Sequence, residues 1–144
     1  MDISGEQLIT APRERVWEAL NDPTVLKNCI LGCEELDKLS DTEMKSVVIA
    51  KFGPIKAKFK ADISIEDIDP GCSCKLVGQG QGGVAGFANG IASIALSDRG
   101  DDTLLQYQVD FSVGGKIAQI GSRLLKGTTV KIVDHFFDTF PTQL

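Results

Sequence analysis

The chain reads as a single α+β domain: a seven-stranded antiparallel sheet wrapped round a long C-terminal helix, with two short helices between the first and second strands. Three observations predict this. From Cys33 to Gly115 apolar and polar residues alternate with a period of two. A helical period precedes that region, and another follows it to about Phe140. A sheet with one dry face needs a cover, and the C-terminal helix is the only element large enough to supply it.

Residues 2–10 read as a short strand, with Ile3 and Ile9 placed for one face. Ala11-Pro12 opens a helix, since proline's missing N–H is harmless in the first turn. Val16, Trp17, Ala19 and Leu20 form its apolar side. Asn21-Asp22-Pro23 ends that helix and starts a second, which carries Val25, Leu26 and Cys29 and stops at Gly32. Strands are expected near 34–40, 43–52, 55–65, 73–80, 88–98 and 105–113. The clearest sets Ile55, Ala57, Phe59, Ala61, Ile63 and Ile65 against Lys56, Lys58, Lys60, Asp62, Ser64 and Glu66, one dry face and one wet. Asp69-Pro70-Gly71 is a turn in which proline presets φ and glycine permits φ > 0. Leu105, Tyr107, Val109, Phe111 and Val113 repeat the alternation, whereas at 44–52 apolar residues fall on both parities and the facing stays open. After Gly114-Gly115, residues Ile117, Ile120, Leu124, Thr128 and Ile132 lie on one helical side, with Phe136 and Phe140 beyond. Such a helix would be about 37 Å long.

A length of 144 residues suits one domain, 1–144, with interior volume to spare for a ligand. The net charge of −5 argues against nucleic acid, which calls for a basic footprint. No apolar run approaches the roughly 18 residues that a membrane span needs, and the start MDISGEQLI lacks the pattern of a secretory signal. The expected location is the cytoplasm. Cys29, Cys33, Cys72 and Cys74 show no C-x-x-C spacing, and there is one histidine, so reduced thiols are expected in preference to a metal or redox centre. No tightly required cofactor is expected.

Several segments carry a resemblance. Ala11-Pro12-Arg13 with Val16-Trp17 and Leu20, then Asp22-Pro23, Leu26, Cys29-Ile30 and Gly32-Cys33-Glu34, resemble the CoxG family of carbon monoxide dehydrogenase proteins. Gly53-Pro54-Ile55-Lys56 and the run from Gly114 to Leu124 match its other two signatures, and the likeness covers about residues 1–142. The element order is similar to the wider START/SRPBCC superfamily, whose helix-grip fold closes a curved sheet on a C-terminal helix. The resemblance implies a non-catalytic accessory protein that holds a hydrophobic ligand, a quinone or other lipid, between sheet and helix. It also implies a partner, a molybdenum-containing dehydrogenase of the carbon monoxide dehydrogenase type, served in maturation, membrane association or electron transfer. Peripheral contact at the inner membrane face goes with that role. Polyketide cyclases and aromatases of the superfamily supply an enzymatic alternative, and a filled core would leave a structural assembly factor. Leu31 stands where the family usually has proline, so a looser bend is expected there, and the sequence ends at Leu144 where some members continue into a membrane-associating tail.

The expected pocket walls are Trp17, Leu26, Phe59, Phe87, Phe111, Ile120 and Leu124, each also suited to a plain core. Gly121 and Thr128 interrupt the apolar side of the long helix, leaving volume or simply allowing close packing. Thr128 and Tyr107 are the polar groups that would orient a ligand in a mostly apolar pocket. Gly78, Gly80, Gly82, Gly83, Gly86 and Gly90 make no phosphate cradle; they mark either a bulged, bent sheet or a flexible lip at a pocket mouth. His135 titrates in the neutral range when unperturbed but has no nucleophile motif, and is expected at the helix rim. Lys51, Lys56, Lys58 and Lys60 read as a solvated sheet face or as a docking patch for an acidic enzyme or anionic lipid.

Overall fold

The computed structural model describes every residue from Met1 to Leu144. The chain starts with β1 (Asp2–Ile9), then α1 (Arg13–Leu20) and α2 (Pro23–Cys29). Six strands follow: β2 (Cys33–Lys38), β3 (Glu43–Phe52), β4 (Ile55–Asp69), β5 (Ser73–Gln81), β6 (Phe87–Arg99) and β7 (Asp102–Gly114). The last long element is α3 (Ser122–Thr139). All seven strands pair antiparallel in the order β1-β7-β6-β5-β4-β3-β2, so each hairpin neighbour is a sequence neighbour and β1 closes on β7.

Local chemistry explains the short helices. Pro12 stands just outside α1 as its N-cap (φ −67°, ψ 153°) and not within the first turn. In α2 the Asp22 carboxylate accepts the Thr24 N–H at 2.9 Å while Pro23 occupies the first turn, which needs no donor there. The bend after α2 is pinned and not loose, because Ile49 donates its N–H to the Gly32 carbonyl at 2.8 Å and Gly32 takes φ 77°.

The long C-terminal helix is shorter than the periodicity suggests. Residues Gly115–Ile120 form a 3₁₀ segment, Gly121 adopts φ 94°, ψ 154°, and only the 18 residues of α3 are α-helical, about 27 Å. The reason is that a 3₁₀ turn repeats every three residues, so Ile117 and Ile120 imitate helical spacing while Gly121 breaks the ladder. Gly121 also resets the helical phase for everything after it.

Bulges fall away from the glycine-rich segment. The register slips between Cys33 and Glu35 in β2 and between Glu66 and Asp69 in β4, where Asp67 takes φ 49°. The β5–β6 ladder runs unbroken from Ser73↔Ala95 to Gln81↔Phe87. Gly82, Gly83 and Gly86 belong to the connection after it, a 3₁₀ turn whose Val84 is 95% exposed.

Twenty-two of 144 residues are buried, and their apolar members fall into three clusters with no single continuous core. The largest joins Ile9, Val16, Leu96, Leu105 and Phe140 where α1, β6, β7 and the C-terminus meet. The second packs Leu26 of α2 on Leu36, Met44 and Ile65. The third closes the opposite end with Phe52, Phe59, Ile117 and Leu125. Each full burial of a Val, Leu, Ile or Phe contributes roughly 1.5–3 kcal/mol. The ends of the domain are thus well sealed.

Candidate functional site

Between those ends the sheet and α3 part. Two rows of inward-facing residues cross the middle of the sheet. One runs Ser46–Ala61–Gly80–Ala88–Val113, and its neighbour runs Ile63–Gly78–Gly90–Phe111. Their central positions are only glycine and alanine, so the floor lacks the side chains that elsewhere fill the interior. Thr129 and Ile132 of α3 form the roof, and Phe52 with Phe59, in edge-to-face contact at 5.9 Å, seals one end. The enclosed apolar cavity has a volume of about 310 Å³, within the roughly 300–1,000 Å³ of small-molecule pockets.

The glycines of the floor are not required by the backbone. Gly78, Gly80 and Gly90 all have ordinary φ, and an added Cβ would meet nothing nearer than 4.0, 3.5 and 3.5 Å respectively. Glycine inside a strand is unfavourable by roughly 0.5–1 kcal/mol against alanine. Neither conformation nor close approach accounts for that choice here, whereas empty volume above the floor does.

The cavity is chemically plain. No Asp, Glu, His, Cys, Tyr, Lys or Arg lines it. Its nearest polar side chain is Thr129, whose hydroxyl donates to the Leu125 carbonyl at 2.9 Å, leaving lone pairs to accept a hydrogen bond. No cluster of three or more His, Cys, Asp or Glu occurs anywhere in the chain.

The structure brings some expected wall residues together and disperses others. Phe59 and Phe111 line the cavity. Trp17 and Leu26 are core residues beneath the N-terminal helices, and Ile120 backs the Phe52–Phe59 plug. Phe87 lies on the opposite, outer face, with its ring over Gly114, because it pairs with Gly114 on the wet parity of β6. Leu124 is 49% exposed and Gly121 sits outside at the start of α3, facing nothing within 4 Å. Thr128 faces a separate cleft. The inward stripe of α3 is Leu125, Thr129, Ile132 and Phe136, one residue on from the stripe extrapolated through Leu124 and Thr128, as the reset at Gly121 requires. Tyr107 faces inward but stacks on Phe137 at 5.0 Å and 22°, with its ring over Gly5. Burial first, then the negative charge of Asp134, hold its phenol above the usual range. His135 is half-buried on α3. Val48, Ala50, Ala61 and Ala88 are wall residues that sequence reasoning missed. Their only signal is small size at matching parity on adjacent strands, which becomes visible once register is known.

The four cysteines are free. Burial raises the thiols of Cys29 and Cys74. Cys72 accepts from the Arg13 guanidinium at 3.0 Å, while that side chain also pairs with Asp98 at 3.2 Å. Lys56, Lys58 and Lys60 are exposed on the outer face, Lys58 beside Glu34 at 3.6 Å. A shallow depression of about 650 Å³ on that face is lined mainly by polar groups such as Ser93, Gln106 and Gln108 and offers no apolar enclosure. No helix is long and apolar enough to cross a membrane.

The carbon monoxide dehydrogenase family CoxG, named for the enzyme's G-type accessory chain, matches residues 5–144. A conserved protein from Geobacillus kaustophilus of known structure is 32% identical, over 99% of this chain and 94% of that one, with a TM-score of 0.92. A START superfamily protein from Mycobacterium smegmatis is 13% identical, over 99% and 95% of the two chains, with a TM-score of 0.74. An aromatase/cyclase from Streptomyces is 10% identical, over 99% and 92%, with a TM-score of 0.72. The last two likenesses are of fold alone: the START-type helix-grip. No curated protein matches the sequence.

Proposed function

Because the chain belongs to the CoxG family of carbon monoxide dehydrogenase proteins, we propose that it is an accessory protein that holds a hydrophobic molecule between its sheet and α3 in the service of a molybdenum-containing dehydrogenase. The observation that carries this reading is the hollow of about 310 Å³ kept open by Gly78, Gly80 and Gly90. An apolar body placed there gains roughly 25 cal/mol for each Å² of its surface removed from water. A quinone ring or an acyl chain has the chemistry to fill it, with the Thr129 hydroxyl available to accept a hydrogen bond. Family membership supports the dehydrogenase as partner, in maturation, membrane association or electron transfer.

A binding role is favoured over a cyclase-like one by the wall composition. General acid–base catalysis needs a titratable group within hydrogen-bond reach of substrate. The walls carry none, and Tyr107 is committed to its stack on Phe137.

Calorimetric titration with a decyl-chain benzoquinone and with dodecanol tests the carrier reading. Saturable binding that Gly78→Val abolishes is the expected result. Heats of dilution alone for both molecules would overturn it. For the partner, deletion of the gene in its own host should lower the dehydrogenase's activity, restored by the wild-type chain and not by Gly78→Val. Undiminished activity in the deletion strain would remove the partner from the account.

A further inference from the structure

A second hollow adjoins the first. It lies between α3, the end of the β3–β4 hairpin and the loop after α2, with a volume of about 690 Å³. Ala50 and Ile132 line both spaces, so the cleft is the natural mouth of the apolar cavity. Its charge is one-sided. Lys51, Arg123 and Lys131 border it and no carboxylate does, in a chain whose net charge is −5. None of the three forms an ion pair, although five other Lys or Arg residues do. Arg123, Gly127 and Lys131 are spaced by four along α3 and share one helical stripe. Gly127, between the two cations, faces open space, and no heavy atom lies within 4 Å of a Cβ built there. Glycine inside a helix is unfavourable, so here too the chain forgoes a side chain where one would narrow a passage.

We infer that the cleft is a headgroup site: the ligand is a single-chain amphiphile whose anionic head, a carboxylate or a phosphate, sits among Lys51, Arg123 and Lys131 while its tail fills the apolar cavity. This rests on the carrier reading and adds the chemical class of the ligand to it. Three unpaired cations held near one another repel, and an oxyanion relieves that repulsion. The planar guanidinium of Arg123 suits bidentate contact with either head. Leu124 and Leu31, exposed at the cleft, lie where the first methylenes would pass. The apolar floor beyond accounts for why an inorganic anion alone is not the ligand.

The test compares dodecanoate, dodecyl phosphate, dodecanol and dodecyltrimethylammonium by calorimetry on the wild-type protein, the double variant Arg123→Gln/Lys131→Gln, Gly127→Trp, and Lys60→Gln as an outer-face control. The wild type should bind at least one anionic amphiphile about tenfold or more tightly than dodecanol, with the ammonium weakest. The double variant should lose that preference while keeping dodecanol affinity within about twofold, and the preference should shrink with salt as screening shortens to about 8 Å near physiological ionic strength. Gly127→Trp should weaken every ligand, because it narrows the shared mouth, and Lys60→Gln should change nothing. Whichever of dodecanoate and dodecyl phosphate binds more tightly identifies the head. Equal binding of dodecanol and both anions, or anion binding untouched in the double variant, overturns the headgroup site while leaving the apolar cavity standing. Failure of all four amphiphiles to bind overturns the carrier reading and this inference with it. Circular dichroism on each variant separates lost binding from lost fold.

Discussion

Gly78 stands directly opposite Gly90 across the β5–β6 ladder, at the centre of the cavity floor, and a Cβ built on Gly78 comes no nearer than 4.0 Å to the Gly90 carbonyl oxygen. Space and function are therefore separable at this position. Gly78→Val adds a β-branched side chain that strands favour, by up to about 1 kcal/mol on host scales, and projects it into the hollow. The melting temperature should hold or rise while affinity for dodecanol falls tenfold or more. A drop in melting temperature of several degrees would show that the glycine serves packing and not volume.

Gly127 offers the matching test in α3. With open space around it, Gly127→Ala should stabilise the fold by about 1 kcal/mol, the helix-propensity difference. For a chain of this length that corresponds to roughly 2–4 °C in a thermal melt. Alanine is small enough to leave the cleft passable.

Thr103 is fully buried, and its hydroxyl donates to the Ala11 carbonyl at 2.8 Å, tying the start of β7 to the entry of α1. Thr103→Val keeps the shape and deletes the donor, leaving a buried carbonyl unpaired. A loss of about 1–3 kcal/mol in urea unfolding is expected, with Thr103→Ser recovering part of it. An unchanged midpoint would mean that water reaches Ala11.

Alkaline pH should destabilise the protein. Burial holds the thiols of Cys29 and Cys74 above the 9.0 at which an unfolded thiol titrates. Below that value folded and unfolded chains are both protonated and stability is at its full level. Above it the unfolded chain releases protons first, so stability falls as pH rises through the folded-state values. Tyr107 adds to the trend above 10.0. Urea midpoints at pH 8 and pH 10 measure the slope, and Cys74→Ala should flatten it. Alkylation kinetics give a second readout: Cys33 and Cys72, only partly covered, should react before Cys29 and Cys74.

Much of the architecture was legible in the sequence because it is written in local periods. Strict alternation from Ile55 to Ile65 and from Leu105 to Val113 assigned the dry face, and Asp22-Pro23 marked the α1–α2 break, since each signal depends on neighbours only a few residues away. Where two local patterns coincide, the reading slipped: the three-residue spacing of Ile117 and Ile120 passed for α-helix, and carried the expected inward stripe of α3 to Leu124 and Thr128 in place of Leu125 and Thr129.

The sequence by itself determined seven strands, a gripping helix and a chain with apolar side chains enough to seal a core. The hollow, and which residues border it, was decided only in three dimensions. Gly78, Gly80, Ala61, Ala88 and Gly90 come from three strands and form one floor solely because register aligns them, while Lys51, Arg123 and Lys131 meet at one mouth because α3 crosses the free end of β3. A void is a property of facing surfaces, and no single segment of chain encodes both sides of it.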